Sequence, residues 1–321
     1  MEKIAAHHSN LSPGQRVPMR LLEFQYPMYP CAQFSFQADP AITNFQTYYA
    51  DVGGWNMPFK IIRSSSAAKP ILMLLHGLGL HPASFRGITS HLLDVADLIL
   101  VDYTGFTSLR SWPDGGASLR VLAHAIMQIP AALGLNKIHI GGSSLGGGLC
   151  LMAAVDFPDV IGRIVLFNPA IFPRELPSFY RLVRIPIVGP LIMRLMPPPH
   201  LISGVTSLGY VDASSTDEEL IHLYENNMKS FDNRLRVMDL IRHLPEREAE
   251  VRRYLVCART LPQEVLLIWG EQDKLLAADT GTRLRDELPH IEFHSFPDLA
   301  HLPHEEAPGR IGPIIAEFIA R

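Results

Sequence analysis

The stretch KIHIGGSSLGGGL, residues 137–149, joins an apolar strand-like run to a helix-like run through a turn of glycines and serines. A nucleophile on so sharp a turn needs small residues two positions before and two after it, because the strand and helix backbones nearly touch. Ser144 has Gly142 and Gly146 at these positions, whereas Ser143 has a leucine at the second of them. The frame therefore predicts that Ser144 presents its hydroxyl for chemistry. Ser143 is expected to be a small packing residue or a supporting hydrogen-bond partner.

A glycine-rich turn between strand and helix is also used to cradle phosphate. The stretch does not match the G-x-G-x-x-G pattern of dinucleotide-binding folds, and no Gly-Lys-Ser/Thr follows as in a P-loop. A purely structural turn stays open on this evidence alone, because G-x-S-x-G is a short pattern that is only a hypothesis until its context is known.

Strand-like and helix-like segments alternate on both sides of this turn. Two segments, residues 82–95 and 117–133, have the apolar spacing of helices, and a glycine turn near residue 53 favours a hairpin before the first buried strand. Continuous apolar runs are typical of strands buried on both faces. These runs are ILMLLH, DLILVD, KIHIGG, RIVLFN, EVLLIWG and IEFHSF. The pattern predicts an α/β fold, a mostly parallel, doubly wound sheet with helices on both faces.

The alternation is interrupted by a Pro-rich and then charged helical stretch. We therefore predict an α/β core formed by residues 36–170 and 262–321, with a helical cap inserted at residues 171–261. Residues 1–35 are rich in proline and polar side chains and show no period, so an N-terminal arm is expected there.

The bulk composition narrows the class of protein. The chain has 321 residues, 47% hydrophobic residues, three cysteines and a formal net charge of −4. Without a concentrated basic face, nucleic acid is not an expected partner. Three scattered cysteines favour neither a disulfide framework nor a zinc site, so a reduced cytoplasm is the expected compartment. The sequence contains neither a secretory h-region nor an apolar run long enough to predict a transmembrane segment.

A serine at its ordinary pKa is a poor nucleophile and needs a histidine base oriented by an acid. Asp273 follows the strand-like run EVLLIWG, and His301 follows the last such run, IEFHSF. Since parallel strands gather their carboxyl ends at one edge of a sheet, both residues are expected near Ser144. Asp298 is the alternative acid, but it lies too close to His301 in sequence to reach the far side of the imidazole easily.

Two backbone N–H groups are needed to hold the oxyanion of an acyl-transfer reaction. Leu145, directly after the serine, is one candidate donor, and Leu78, in the loop after ILMLLH, is the other. His76, Gly77 and Ser143 are expected to support substrate binding around this loop. A metal pair of His301 with His304 is disfavoured, because no H-E-x-x-H pattern is present.

Four motifs in this order resemble the α/β-hydrolase superfamily, in the branch with a helical cap between the sixth and seventh strands. They are HGLG at residues 76–79, GSSLGG at 142–147, WGEQD at 269–273 and AHLPHEEAP at 300–308. That branch contains esterases, lipases, carbon–carbon bond hydrolases, epoxide hydrolases, haloalkane dehalogenases and some acyltransferases. Epoxide hydrolases and dehalogenases carry Asp at the position of Ser144 on this turn, so the serine in this chain disfavours both classes. The segment with Gly105 and Thr107 departs from the relatives' Gly-x-Gly turn.

The resemblance implies a role for each matching residue and no metal or organic cofactor. Ser144 would be the nucleophile, Asp273 the acid and His301 the base, with Leu78 and Leu145 as oxyanion donors. The expected activity is hydrolysis of a carboxylic ester, with a small-to-medium hydrophobic acyl compound and water as substrates. Carbon–carbon bond hydrolysis and acyl transfer with the same triad stay open, and so does a ligand-binding protein with vestigial chemistry.

The cap stretch at residues 176–202 is apolar with spaced arginines. Three interpretations stay open for it, in this order: packing on the core, lining an acyl pocket, and a weak contact with a membrane surface.

Overall fold

The computed structural model describes residues 46–51, 56–64, 69–104, 119–172, 178–243, 254–288 and 290–321. The N-terminal arm predicted at residues 1–35 lies outside the described residues, and so do Gly105 and Thr107.

Eight strands of the described residues form one sheet. They are β1 (Gln46–Asp51), β2 (Asn56–Ile62), β3 (Ile71–Leu75), β4 (Asp97–Val101), β5 (Ile138–Ser143), β6 (Ile161–Phe167), β7 (Val265–Gly270) and β8 (Ile291–Phe296). Their order across the sheet is β1-β2-β4-β3-β5-β6-β7-β8. The hairpin strands β1 and β2 pair antiparallel with each other, as do β2 and β4, and every other neighbouring pair is parallel. The mostly parallel sheet expected from the alternation is therefore confirmed.

Helices cover both faces of this sheet. Those outside the β6–β7 connection are α1 (Arg86–Leu92), α2 (Leu119–Ile126), α3 (Gln128–Ala132), α4 (Leu145–Asp156), α11 (Thr280–Glu287), α12 (Pro303–Glu306) and α13 (Pro308–Ala320). Neighbouring residues of a strand point to opposite faces. Leu72 and Leu74 of β3 accordingly pack with α1 and α13, whereas Met73 and Leu75 pack in the cluster that contains α2 and α4. The doubly wound arrangement follows from this alternation.

Two predicted helices are shorter than the apolar spacing suggested. The segment predicted as one helix over residues 117–133 is split into α2 and α3, because Pro130 lacks an N–H and its ring would clash with the carbonyl of Ile126. The segment 82–95 begins as a 3₁₀ turn, Pro82–Phe85, before α1. Pro308 separates α12 from α13 in the same way.

In the described part of the β6–β7 connection there are six α-helices. They are α5 (Ser178–Arg184), α6 (Val188–Leu195), α7 (Pro198–Gly209), α8 (Glu218–Asn227), α9 (Phe231–His243) and α10, residues 254–258. Most of them share an apolar cluster that also includes Leu80 from the loop after β3 and Leu302 from the loop after β8. The connection therefore packs on the carboxyl edge of the sheet. Among the described residues, no helix is both long and apolar enough to cross a bilayer.

Candidate active site

Ser144 lies on a strained turn between β5 and α4. Its backbone has φ 52° and ψ −118°, in the region that side chains rarely adopt. A Cβ on Gly146 would lie 2.1 Å from the carbonyl oxygen of Leu75, and one on Gly142 would lie 2.4 Å from the carbonyl carbon of Gly146. Only glycine allows β3, β5 and α4 to meet this closely, which is the physical content of the G-x-S-x-G frame.

The two adjacent serines have different surroundings. Ser143 is the last residue of β5 and its side chain is fully buried, and no described residue forms a hydrogen bond with its Oγ. Ser144 is partly exposed. Of the two hydroxyls, only that of Ser144 is open to an external molecule.

Backbone hydrogen bonds hold the turn from the side of β6. The N–H of Ser144 donates to the carbonyl of Phe167 over 3.0 Å, and the carbonyl of Ser144 accepts from Ala170 over 2.9 Å. The ring of Phe167 lies 4.7 Å from the ring of His304, three residues beyond His301. The turn and the loop after β8 therefore belong to one packed edge of the sheet.

His301 and Asp273 form a buried acid–base pair at this edge. The Nδ1 atom of His301 lies 2.6 Å from Oδ2 of Asp273, and the two side chains are 4% and 1% exposed. Because an ionised carboxylate can only accept, Nδ1 is the donor. The imidazole is thereby held in the tautomer whose Nε2 can accept a proton.

Three further donors fix the carboxylate. The N–H groups of Leu275 and Leu276 donate to Oδ1 of Asp273 over 2.7 and 2.9 Å, and Nδ2 of Asn168 donates to Oδ2 over 2.8 Å. Burial by itself would raise the pKa of Asp273, but the charge of His301 and these hydrogen bonds outweigh it and lower the pKa below its ordinary value. The group is therefore an anion at neutral pH.

Asn168 is a site residue that the sequence analysis missed. It follows β6 with φ 37° and is fully buried. Its Oδ1 accepts from the N–H of Gly270 over 2.9 Å, and its Nδ2 also donates to the Gly270 carbonyl over 3.1 Å. Asn168 thus ties the end of β6 to the end of β7 and aims Asp273. The available signal was an asparagine directly after a buried strand, a position at the ligand-binding edge.

Asp298, the alternative acid, and His304, the possible metal partner of His301, both make their contacts away from the His301–Asp273 pair. Asp298 is exposed and pairs with Arg310. His304 is fully buried, shares a hydrogen bond of 2.9 Å with the Ser84 hydroxyl, and stacks on Phe85. Burial lowers the pKa of His304 to about 3, so it is a neutral packing residue in this structure.

The loop after β3 approaches the turn of Ser144. A Cβ on Gly77 would lie 3.4 Å from Cβ of Ser144, and the N–H of Leu80 closes a turn on the Gly77 carbonyl over 3.2 Å. Leu78 lies within this turn. Leu145 is the first residue of α4, so no carbonyl of that helix can accept from its N–H. The oxyanion-binding roles of the Leu78 and Leu145 N–H groups stay predictions. Both groups lie on the turns that meet at Ser144, which suits this role.

His76 is held by one hydrogen bond and one ring contact, and it lies close to Asp102. Its Nδ1 donates to the Gly77 carbonyl over 2.8 Å, its Nε2 lies 3.5 Å from Oδ1 of Asp102, and its ring stacks on Tyr103 at 4.4 Å. His76 and Ser143 are fully buried. The substrate contacts predicted for these two residues and for Gly77 stay predictions that rest on the sequence.

A second pair of acidic residues, also missed by the sequence analysis, anchors the loop of His301 to the inserted helices. Glu305 accepts hydrogen bonds from the hydroxyls of Tyr210, Ser84 and Tyr224, the last over 2.9 Å. Glu306 accepts from the N–H of Ala300 over 2.6 Å, and also from the N–H of the residue after Tyr210. The residues at the end of α7 therefore hold the loop that carries His301 in place.

A cavity of about 310 Å³ lies between the end of β4 and helices α8 and α9. Its polar lining comprises Lys60, His81, Asp102, Asn226, Asn227 and Asn233. Burial lowers the pKa of His81 to about 4, so this imidazole is neutral at pH 7. The described lining residues do not include Ser144, so the candidate nucleophile lies outside this cavity.

Comparison with known proteins agrees with this architecture. A family model described as the alpha/beta hydrolase fold matches residues 70–188. An uncharacterized hydrolase of Bacillus subtilis, YugF, is 26% identical over 77% of this chain and 89% of its own length. A 2-hydroxy-6-oxononadienedioate/2-hydroxy-6-oxononatrienedioate hydrolase of Paraburkholderia phymatum is 25% identical over 87% of this chain and 92% of its own.

Among solved structures, the 2-hydroxy-6-oxo-6-phenylhexa-2,4-dienoate hydrolase of Rhodococcus sp. strain RHA1 superposes with a TM-score of 0.71. It is 20% identical, and the match covers 87% of this chain and 99% of that one. The sheet order, the strained serine turn and the match of residues 70–188 to the family model lead to one conclusion: this chain has the α/β-hydrolase fold.

Proposed function

We propose that this protein is a serine hydrolase that forms an acyl-enzyme on Ser144. The observation that carries the proposal is the strained, partly exposed Ser144 at the same sheet edge as the buried His301–Asp273 pair. Such a constellation is recognised by geometry and roles, whatever the fold around it.

The proposed reaction has two halves. Oγ of Ser144 attacks the carbonyl carbon while Nε2 of His301 takes its proton, and Asp273 stabilises the resulting imidazolium. The N–H groups of Leu78 and Leu145 hold the oxyanion of the tetrahedral intermediate. His301 then gives its proton to the leaving group, and the acyl group stays on Ser144. In the second half, water gives a proton to His301 and attacks the acyl carbon. His301 then returns that proton to Oγ of Ser144 as the acyl carbon–Oγ bond breaks and the acid is released.

The proposed substrate is a carboxylic ester with an apolar acyl group of small to medium size. Support comes from the apolar cluster that the inserted helices share with Leu80 and Leu302, on the two loops of the site. The triad itself does not set the acyl group, because substrates on this fold vary with the inserted segment.

Carbon–carbon bond hydrolysis is the second candidate, and one observation favours it. Curated and structural relatives carry the names of such hydrolases.

The experiment compares p-nitrophenyl esters of graded chain length with a 2-hydroxy-6-oxo-dienoate, using wild type, Ser144→Ala and Ser143→Ala. We expect Ser144→Ala to abolish turnover and the neighbouring Ser143→Ala to retain much of it. A fluorophosphonate probe that labels Ser144 without ester turnover would move the proposal to the dienoate. Ester turnover that survives Ser144→Ala would refute the acyl-enzyme.

A further inference from the structure

Helix α6 exposes apolar side chains on its outer face, in addition to the apolar residues on its buried face. Its outward residues Val188, Leu191 and Leu195 are 37%, 53% and 68% exposed, at a spacing that places them on one face. The opposite face is buried and contains Gly189 and Met193. A surface helix normally turns its apolar stripe inward and its polar residues outward.

The apolar surface continues along α5 and the connection between the two helices. Leu182 and Ile185 are 47% and 45% exposed, and Ile187 is 85% exposed. Single exposed apolar residues are ordinary, but neighbouring ones in a contiguous patch mark an interaction site. We call the six residues Leu182, Ile185, Ile187, Val188, Leu191 and Leu195 the α5–α6 patch.

The outward orientation of the α5–α6 patch is fixed by the packing beneath it. Gly189 touches α5 so closely that a Cβ there would lie 1.9 Å from the carbonyl oxygen of Val183. The buried guanidinium of Arg234 donates to the carbonyls of Met193 and Met196 over 2.8 and 2.9 Å. Rotating α6 to bury its apolar face would break both contacts.

The charged residues that α5 and α6 themselves carry have one sign. Arg181, Arg184 and Arg194 belong to the same two helices, and the sequence contains no Asp, Glu or Lys from residue 176 to 211. Apolar side chains bordered by arginines are the composition of segments that lie in the interface of a bilayer, with the cations among anionic headgroups.

From these observations we infer that the α5–α6 patch docks on the surface of an anionic lipid membrane. A second copy of the chain is the competing occupant, but a two-fold contact through this patch would bring the three arginines of each copy together. An anionic lipid surface complements the same charges. No part of this inference depends on the proposed function.

The surface is connected to the candidate active site by a single helix. α9 contacts α5 and α6, and its Val237 lies 3.8 Å from the position of a Cβ on Gly79, in the loop that carries Leu78. Docking through the α5–α6 patch would bring the inserted helices and the site beneath them to the lipid, where apolar acyl compounds concentrate.

The test is sedimentation of the full chain with vesicles of phosphatidylcholine, alone or with phosphatidylglycerol. We expect binding to the anionic vesicles that weakens with salt, and a loss of about tenfold or more in the Ile187→Asp/Leu191→Asp variant. Val256→Asp is the matched control, because Val256 is 57% exposed and lies outside the patch. Ser144→Ala should bind like wild type, which separates this result from that of the proposed function.

Three outcomes would overturn the inference. They are no binding to either vesicle, equal loss in Val256→Asp, and a concentration-dependent dimer that Ile187→Asp/Leu191→Asp abolishes while vesicles bind nothing. Circular dichroism of each variant establishes that a loss of binding is not a loss of folding.

Discussion

His301 and Asp273 are 28 residues apart in sequence and meet through a 2.6 Å hydrogen bond between Nδ1 and Oδ2. The bond is shielded from water, because neither side chain is more than 4% exposed. A hydrogen bond to an ionised carboxylate in such surroundings is stronger than one at the surface. The whole proposed mechanism depends on this bond, since it decides which nitrogen of His301 faces the nucleophile.

The first prediction removes the charge of the acid while keeping its shape. Asp273→Asn should lower kcat by about 10³–10⁴-fold, because an amide can favour the wrong imidazole tautomer and cannot stabilise the imidazolium. Steady-state kinetics with the best ester or dienoate measures it. Asp298→Asn is the matched control and should keep nearly full activity, since Asp298 is exposed and pairs with Arg310. Equal losses in the two variants would show that the acid is misassigned.

The second prediction concerns the glycine after the nucleophile. Gly146→Ala should leave little folded protein, because its Cβ would lie 2.1 Å from the Leu75 carbonyl oxygen and backbone must move to admit it. Gly204→Ala is the same change in α7 at a site with nothing within 4 Å, so we expect it to stabilise the protein by about 0.5–1 kcal/mol. Thermal unfolding of both variants is the measurement. A normally stable and active Gly146→Ala protein would contradict the described turn.

The third prediction tests Asn168 as a positioning residue. Asn168→Asp places a second carboxylate 2.8 Å from Oδ2 of Asp273 and removes the donor. Like charges raise the pKa of one member of such a pair, so stability is retained while the pair holds a proton and is lost as pH rises through that raised pKa. We expect a penalty of about 2–4 kcal/mol at neutral pH and a smaller one in acid.

Urea unfolding at about pH 5 and about pH 8 measures this difference, and the pH profile of kcat/KM separates positioning from mere stability. Asn136→Asp, at an exposed position, controls for the amide-to-acid change. A penalty that does not depend on pH would argue against direct contact between the two carboxyl groups.

The fourth prediction is a pH dependence of stability from Glu305. Burial raises its pKa from 4.5 to about 7, against the hydrogen bonds from Ser84, Tyr210 and Tyr224. The folded protein therefore binds the proton more tightly than the unfolded chain, and this contribution falls as pH rises from about 4.5 to about 7. Relative to Glu305→Gln, wild type should lose on the order of 3 kcal/mol across that window.

Chemical denaturation of wild type and Glu305→Gln over that range measures the difference. Glu317→Gln, whose side chain is 77% exposed, should follow wild type at every pH. Parallel curves for wild type and Glu305→Gln would mean that Glu305 is ionised at all these pH values or is not buried.

The chain's own pattern was enough to predict the sheet, the serine turn and the order of Ser144, Asp273 and His301. Buried strands appear in the sequence as apolar runs. The serine turn can be recognised from Gly142 and Gly146, because the close approach of the backbones there excludes any other residue. The division of a single predicted helix at Pro130 could also have been anticipated, since proline acts locally.

Tertiary structure alone decided the partners of these groups. Asn168 looks like any residue after a strand until β6 and β7 pair and bring it to Asp273. Glu305 and Glu306 look like a solvated helix start until the fold brings three hydroxyls to Glu305 and the N–H of Val211 to Glu306. The apolar residues of α6 resemble core in sequence, yet Gly189 and Arg234 turn them outward. The sequence by itself determined which residues can do chemistry, because local patterns encode strands and turns; long-range packing determined which of them meet.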